Sequence, residues 1–409
     1  MRDDVAGTTA KASRGGERTG PAMLMHSLGF QGPSSTEIAR VMFARTTGRW
    51  RSENKRGTAF NLPATILHAH PLISYSGSVP HAPIGLASLM RDFQRGQPAW
   101  FLISPTWSIE KKKAAKTTHR YAVLHRLRNR GHRLIFMCNT PEEATLLQDA
   151  GEAAFFHNKT SNISESIFKP LDDASIEFDA IYNAQLAPWK RHELSLGIER
   201  CAFVFYRDLI ASSTRESESS LFARHAALAP GHVFVNPVDA DGTPVRLAPT
   251  EVNRHLNRAA VGLCLSETEG AMFASTEYLL AGLPVVTTPS SGGRHVYFDD
   301  EYCLTAEPNP RSIAEAVAAL KARNIPRDRI RARTLERLDR DRVRFIDLIN
   351  TILEESGSAE RLALPWPFKQ PVLMEWLDSR DAIARALSRR VDAFPPSSAG
   401  SDASRLPGS

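Results

Sequence analysis

The 409-residue chain predicts an α/β fold of doubly wound, mostly parallel sheets, and three observations carry that expectation. Short apolar runs alternate with helical patterns along most of the length, as strand–helix–strand units require. The length exceeds the range in which one hydrophobic core keeps growing, so two such domains are expected. Finally, Glu269 and Glu277 flank a turn between two apolar runs at 260–265 and 283–287. A tight crossover of that kind holds ligands at the carboxyl ends of its strands.

The elements follow in order. Residues 1–20 and 393–409 are rich in Gly, Ser, Ala and Pro, a composition expected to be disordered. A strand at 22–25, a glycine-containing loop at 29–32 and a helix at 36–46 capped by Ser34 and Ser35 come next. Such a loop either cradles an anion or is an ordinary strand-to-helix turn. Apolar runs at 64–67, 99–103, 134–138 and 153–156 read as strands, with helices at 121–130 and 142–149 between them. Pro141-Glu142-Glu143 opens the latter with proline in its first turn and acids at the positive end. After Pro170 the pattern restarts, with strands at 178–182, 201–206 and 232–235 and a helix opening at 189–194. Helices at 311–323 and 343–353 follow, and 373–388 is amphipathic. The predicted organisation is a Rossmann-like domain over 21–172, a second over 173–355, and a helical segment over 356–392 packing back on the first.

Composition narrows the function. An apolar fraction of 42% and a charged fraction of 23% are those of a soluble globular protein. No apolar run is long enough to span a bilayer, and residues 1–20 lack the apolar region of a secretory signal, so a cytoplasmic location is expected. Cys138, Cys201, Cys264 and Cys303 lie far apart beside apolar segments, without metal-ligand spacing, and read as buried free thiols. The net charge of +6 is uneven: Lys111, Lys112, Lys113, Lys116, Arg120, Arg126, Arg128, Arg130 and Arg133 cluster against Glu110 alone. That run is either a solvated helix face or a patch for an anionic membrane leaflet or anionic acceptor. It has few aromatics and no nucleic-acid motif, so nucleic acid is not an expected partner.

The segment from 269 to 277 holds the candidate site. A short helix is expected over 274–281, with Ser275 or Thr276 near its N-terminus, Glu277 in its first turn and Gly282 as its stop. Free amides and a positive dipole at that N-terminus suit a phosphate. The carboxylates suit hydroxyl-rich groups on each side of it, a sugar and a ribose. The bland alternative is that Glu277 merely favours the helix and that the spacing is chance.

Leu263-Cys264-Leu265-Ser266 before Glu269, Gly282-Leu283-Pro284-Val285-Val286 after Glu277, and then Gly292-Gly293 resemble the donor-site signature of glycosyltransferase family four. The resemblance covers about 261–320, and more loosely 134–170, with Phe168-Lys169-Pro170 where the interdomain linker begins. It implies the GT-B fold, two Rossmann-like domains facing across a cleft, and retaining transfer from a nucleotide-diphosphate sugar. It further implies that Glu269 meets the donor sugar, Glu277 the ribose, and the backbone of Gly270, Ala271, Met272 and Phe273 the diphosphate. Ala271-Met272 departs from the family's Phe-Gly pair. Charge developing on the leaving phosphate needs fixed cations or a metal. No Asp-x-Asp stands at a strand end, so no metal and no cofactor beyond the donor is expected. Lys190 matches a family lysine; the partner arginine's position falls on Ala184 or Gln185, with Arg191 as an adjacent substitute. The family's N-terminal-domain histidine is missing from Ser104-Pro105-Thr106-Trp107, while His68 and His70 are either related to an earlier family motif or structural. The expected acceptor is a glycan or lipid-linked glycan of cell-envelope or exopolysaccharide synthesis, reached in the cytoplasm or from the inner membrane face. Rival readings are a GT-B sugar-nucleotide epimerase and a catalytically silent module that binds a sugar nucleotide or a partner.

Overall fold

Alternation of apolar runs with helices does produce two layered units, each around a six-stranded sheet. The computed structural model describes residues 62–78, 82–90, 98–206, 215–240, 244–368, 370–377 and 380–388. The expected strand at 22–25, glycine loop at 29–32, helix at 36–46 and both tails lie outside these described residues.

The first sheet begins with β1 (Leu62–His68) and β2 (Leu72–Ser78), an antiparallel pair. The sequence pattern did not suggest β2, because Leu-Ile-Ser-Tyr-Ser-Gly-Ser looks like a turn. Ser74 and Ser76 are nevertheless fully buried, and Ser76 Oγ accepts a hydrogen bond from the Leu86 amide at 2.9 Å. A serine that finds a main-chain partner, as Ser76 does, can line a buried strand; the Ser74 hydroxyl finds none among the described residues. Parallel pairing then runs through β3 (Ala99–Pro105), α1 (Lys112–Arg128), β4 (His132–Cys138), α2 (Pro141–Asp149) and β5 (Ala154–Phe156). Helix α2 opens as its sequence predicts: Thr140 Oγ1 accepts from the Glu143 amide at 3.1 Å, and Pro141 occupies the first turn.

The second sheet is wholly parallel. It comprises β6 (Phe178–Gln185), β7 (Cys201–Tyr206), α3 (Arg215–Leu228), β8 (His232–Phe234), α4 (Pro249–Asn257), β9 (Ala259–Cys264), α5 (Phe273–Leu280), β10 (Val285–Thr287), β11 (Cys303–Thr305) and α6 (Pro310–Arg323). Its order, β11-β10-β9-β6-β7-β8, runs outward from β6 and then restarts at β9 on the other side. The reversal between β6 and β9 is the point at which doubly wound sheets open a ligand crevice at their carboxyl ends.

Helix α7 (Arg327–Glu355) joins the two cores. Ile330 and Leu338 in its first half pack in the second core, while Phe345, Ile346, Ile349 and Ile352 in its second half cover Leu67, Ile73, Tyr75 and Leu102 of the first sheet. Burying side chains of this size is worth about 1.5–3 kcal/mol each. The segment expected at 343–353 is therefore only the end of a 29-residue helix. The amphipathic stretch at 373–388 also resolves differently. It forms strand β12 (Glu375–Leu377), which extends the first sheet antiparallel to β1, and then helix α8 (Arg380–Ser388), whose Ile383 enters the first core.

Candidate functional site

The site forms where β6 and β9 end. A helix expected from residue 189 is instead two short 3-10 turns, Pro188–Lys190 and His192–Ser195. Arg191 between them has φ 51°, ψ 48°, a left-handed conformation that breaks helical continuity. The break turns Lys190 inward, and Tyr182 donates its hydroxyl to the Lys190 carbonyl at 2.7 Å to hold the turn.

Glu269 and Lys190 are both buried and form an ion pair through Oε1 and Nζ. Ser266 donates to the same Oε1 at 2.5 Å. Burial disfavours the ammonium, but Glu269 beside it more than offsets this and holds the lysine pKa above its ordinary value. Glu269 Oε2 makes no hydrogen bond to the described residues, so one carboxylate oxygen is fixed and the other is left to accept. Arg294, absent from the residues singled out by sequence, is buried beneath this pair. Its guanidinium donates to Ser266 O at 2.6 Å and Oγ at 3.1 Å, and to the carbonyl of Thr288. It thereby fixes the hydroxyl that fixes Glu269. Its place next to Gly292-Gly293 was the available signal.

Helix α5 begins at Phe273 with Met272 as its N-cap and no side-chain cap. Ser275 is not the cap: its hydroxyl bonds back to Met272 O at 2.7 Å and to Arg294 O at 3.1 Å. Glu277 consequently lies in the second turn, not the first. Asn183 at the end of β6 donates to Glu277 Oε2 at 2.8 Å, and the Asn183 amide donates to Tyr278 Oη at 2.6 Å. Burial pushes the Glu277 carboxyl up to about 7, against the pull of Asn183 and Arg246. Arg246 also sits 5.4 Å from the ring centre of Tyr206, at the end of β7. The close seat of α5 requires Gly262, since a Cβ there would stand 2.5 Å from Tyr278 Cγ. The main-chain amides of Gly270, Ala271, Met272 and Phe273 donate to no acceptor among the described residues, as expected of the turn that opens a helix.

Arg191 does not join the Glu269 pair. Its Nε donates to Leu265 O at 2.7 Å and its Nη2 to Thr288 Oγ1 at 2.8 Å, bracing the ends of β9 and β10. The first sheet closes over the loop from the other side. Ser108 donates to Gly270 O at 3.0 Å, and Asn158 Nδ2 bridges Asn139 O at 3.0 Å and Gly293 O at 2.7 Å. Thr276 donates to Thr160 at 2.9 Å. Gly270 lies so near the Thr106 carbonyl that an added Cβ would stand 2.1 Å from its oxygen. His68 is far from this in sequence and is tied to Pro71 O at 2.8 Å and Glu360 at 3.0 Å, while His70 is exposed in the turn after β1.

The four cysteines are free and buried. No group of three or more His, Cys, Asp or Glu gathers among the described residues, and no described helix is long and apolar enough to cross a membrane.

No protein-family model and no curated protein matches the sequence. Among solved structures, the chain is similar to sucrose-phosphate synthase from Thermosynechococcus elongatus, with TM-score 0.50 and 13% identity over 69% of this chain and 73% of that one. The fold is GT-B. Other similar chains are Anabaena HepE in complex with UDP (TM-score 0.47, 12% identity, 65% of this chain and 81% of that) and the C-terminal domain of a glycosyl transferase group 1 family protein from Francisella tularensis (TM-score 0.33, 14% identity, 43% and 96%). In this GT-B chain the carboxyl ends of both sheets meet at the 269–277 loop, which is where the sequence had placed its candidates.

Proposed function

We propose that the protein is a retaining glycosyltransferase that takes a sugar from a nucleotide-diphosphate donor. One observation carries this reading. Four consecutive amides without acceptors among the described residues, Gly270 to Phe273, stand between a buried Lys190–Glu269 pair and the carboxyl of Glu277. Amides at a helix N-terminus recognise phosphate oxygens, and the open oxygen of Glu269 accepts a sugar hydroxyl on one side. Glu277, oriented by Asn183, accepts from ribose on the other. Lys190 and Arg294 place fixed positive charge where the leaving phosphate becomes more negative, so positioning and electrostatics do the chemistry. The resemblance to family four supports the retaining outcome and a glycan or lipid-linked glycan acceptor. The exposed lysines of α1 support approach to an anionic surface.

A second reading, a catalytically silent sugar-nucleotide-binding module, is favoured by Arg191, whose guanidinium is committed to Leu265 and Thr288. Thermal shift against UDP, GDP, ADP and their sugars, followed by donor turnover with the purified protein, separates the two. Stabilisation by one diphosphate family is expected, because a ligand that binds only the folded state raises its stability. Turnover then establishes the transferase; stabilisation without turnover establishes the silent module, and no stabilisation sinks both.

A further inference from the structure

We propose that Lys159 is a donor-binding residue, a cation delivered by the first sheet to the diphosphate of the nucleotide sugar. The proposal rests on the transferase reading and extends it to a residue that neither motif nor spacing singled out. Asn158-Lys159-Thr160 form a turn just after β5, and the two outer side chains are locked across the interface. Asn158 reaches Gly293 O and Thr160 accepts from Thr276 of α5. Asn158 Oδ1 in turn accepts from the Thr160 amide at 3.0 Å and hydroxyl at 2.8 Å, which stiffens the turn.

Lys159 between them is buried. Its ammonium donates to Pro105 O at 2.9 Å and Thr106 O at 3.0 Å, at the carboxyl end of β3. The Thr106 oxygen is also the atom on which Gly270 packs, so the carbonyl that holds the ammonium borders the start of the 270–273 turn. An ammonium has three N–H donors, and the third has no acceptor among the described residues.

Charge balance points to an anion. Lys190 has Glu269 within hydrogen-bonding distance, but no carboxylate among the described residues is hydrogen-bonded to Lys159. The charged groups facing it are Glu143 of α2 and Glu269 after β9. Glu143 instead accepts from the amides of Ile109 at 2.7 Å and Asn139 at 2.6 Å. A buried ammonium without an ion-pair partner is costly, and burial lowers the Lys159 pKa to about 8 against the pull of both glutamates. A diphosphate against the Gly270–Phe273 amides would complete its hydrogen bonding and balance its charge.

Titrations by calorimetry of UDP, GDP and ADP, with the nucleoside of the best binder as control, test this in wild type, Lys159→Gln and Lys159→Met. Gln retains a neutral donor and Met retains only the stem, and thermal unfolding verifies that each variant folds. The expected result is a loss of about tenfold in diphosphate affinity in both variants, with nucleoside affinity unchanged. Wild-type diphosphate affinity should also fall as pH rises through about 8, while Lys159→Gln stays flat there. Glu143 and Glu277 titrate near 7, below that window. Equal affinities and equal pH profiles in wild type and Lys159→Gln would overturn the role of Lys159 alone. The pH profile of the wild type decides the matter even if the Lys159→Met variant fails to fold. Absence of diphosphate binding by the wild type would overturn the transferase reading beneath it.

Discussion

Glu269 and Glu277 belong to one loop-and-helix unit but sit in different electrostatic surroundings, and their variants should separate accordingly. Glu277→Ala should weaken nucleotide binding by about 1.5–3 kcal/mol, the worth of a charge-assisted hydrogen bond to ribose; unchanged calorimetric affinity in the folded variant would contradict this. Because the free carboxyl is held near 7, and the ionised form is the better acceptor, wild-type affinity should climb as pH rises toward about 7.5. Glu277→Gln should lack that component of the climb. Glu269→Gln is expected to bind free nucleotide normally while turning over poorly, since its partner is the sugar. Glu269→Ala should also lose about 3–5 kcal/mol of stability in urea unfolding, because the Lys190 ammonium remains buried without its carboxylate. Both carboxylates and Lys190 were legible from residue type, spacing and resemblance. Arg294 and Lys159 were not: the position of Arg294 after Gly292-Gly293 was its one signal, and otherwise their importance lies in burial and in which carbonyls they meet.

At the scale of elements, the first sheet's loops meet the 269–273 loop through main chain on both sides. Gly270→Ala puts a methyl against the Thr106 carbonyl, so the two sheets must separate at that point. Nucleotide-sugar turnover should fall sharply while the melting temperature changes little, a result that turnover and thermal unfolding of the same sample would check. Helix α1 makes a second prediction. Lys112 and Lys113 occupy its first turn, where positive charge opposes the dipole, and with Lys111 and Lys116 they are exposed. If these lysines meet an anionic leaflet, each contributes roughly 1 kcal/mol, decaying within a Debye length. Cosedimentation with anionic vesicles at low salt should then be lost when all four become Gln; equal sedimentation of both proteins would leave α1 a solvated face. Most strands and helices were legible because their apolar periodicity matches their burial. Others were not: β2 hides its burial behind serines, β12 is three residues of a stretch with helical periodicity, the turns around Lys190 depend on the left-handed Arg191, and α3, α4 and the three-residue β11 were not singled out.

At the scale of the whole molecule, titration should set an acid limit to stability. Burial lowers His157 to about 4, His192 to about 3 and His225 to about 4, and also lowers His232 and His255. The unfolded chain binds those protons near pH 6.5 and the folded chain does not, so stability is full above about 6.5 and is lost as pH falls toward 4. Glu143 and Glu277, raised to about 7, act in the opposite sense, favouring the fold as pH falls from 7 to about 4.5. His157 and His192 contribute on the order of 3 kcal/mol each, which these glutamates roughly offset, leaving the other three histidines to tip the balance. The melting temperature should therefore drop between about pH 6.5 and 4.5; a flat profile would refute this balance. The crossing of α7 has a consequence for biosynthesis. The first sheet lacks its edge strand β12 and its cover, the second half of α7, until Leu377 has been made; Thr65 bonds to Leu373, 308 residues later. Leu67, Ile73, Tyr75 and Leu102 remain uncovered on the ribosome while the second sheet is already complete. The sheet that comes earlier in the sequence is thus finished after the later one, and its apolar face stays exposed in the nascent chain until then.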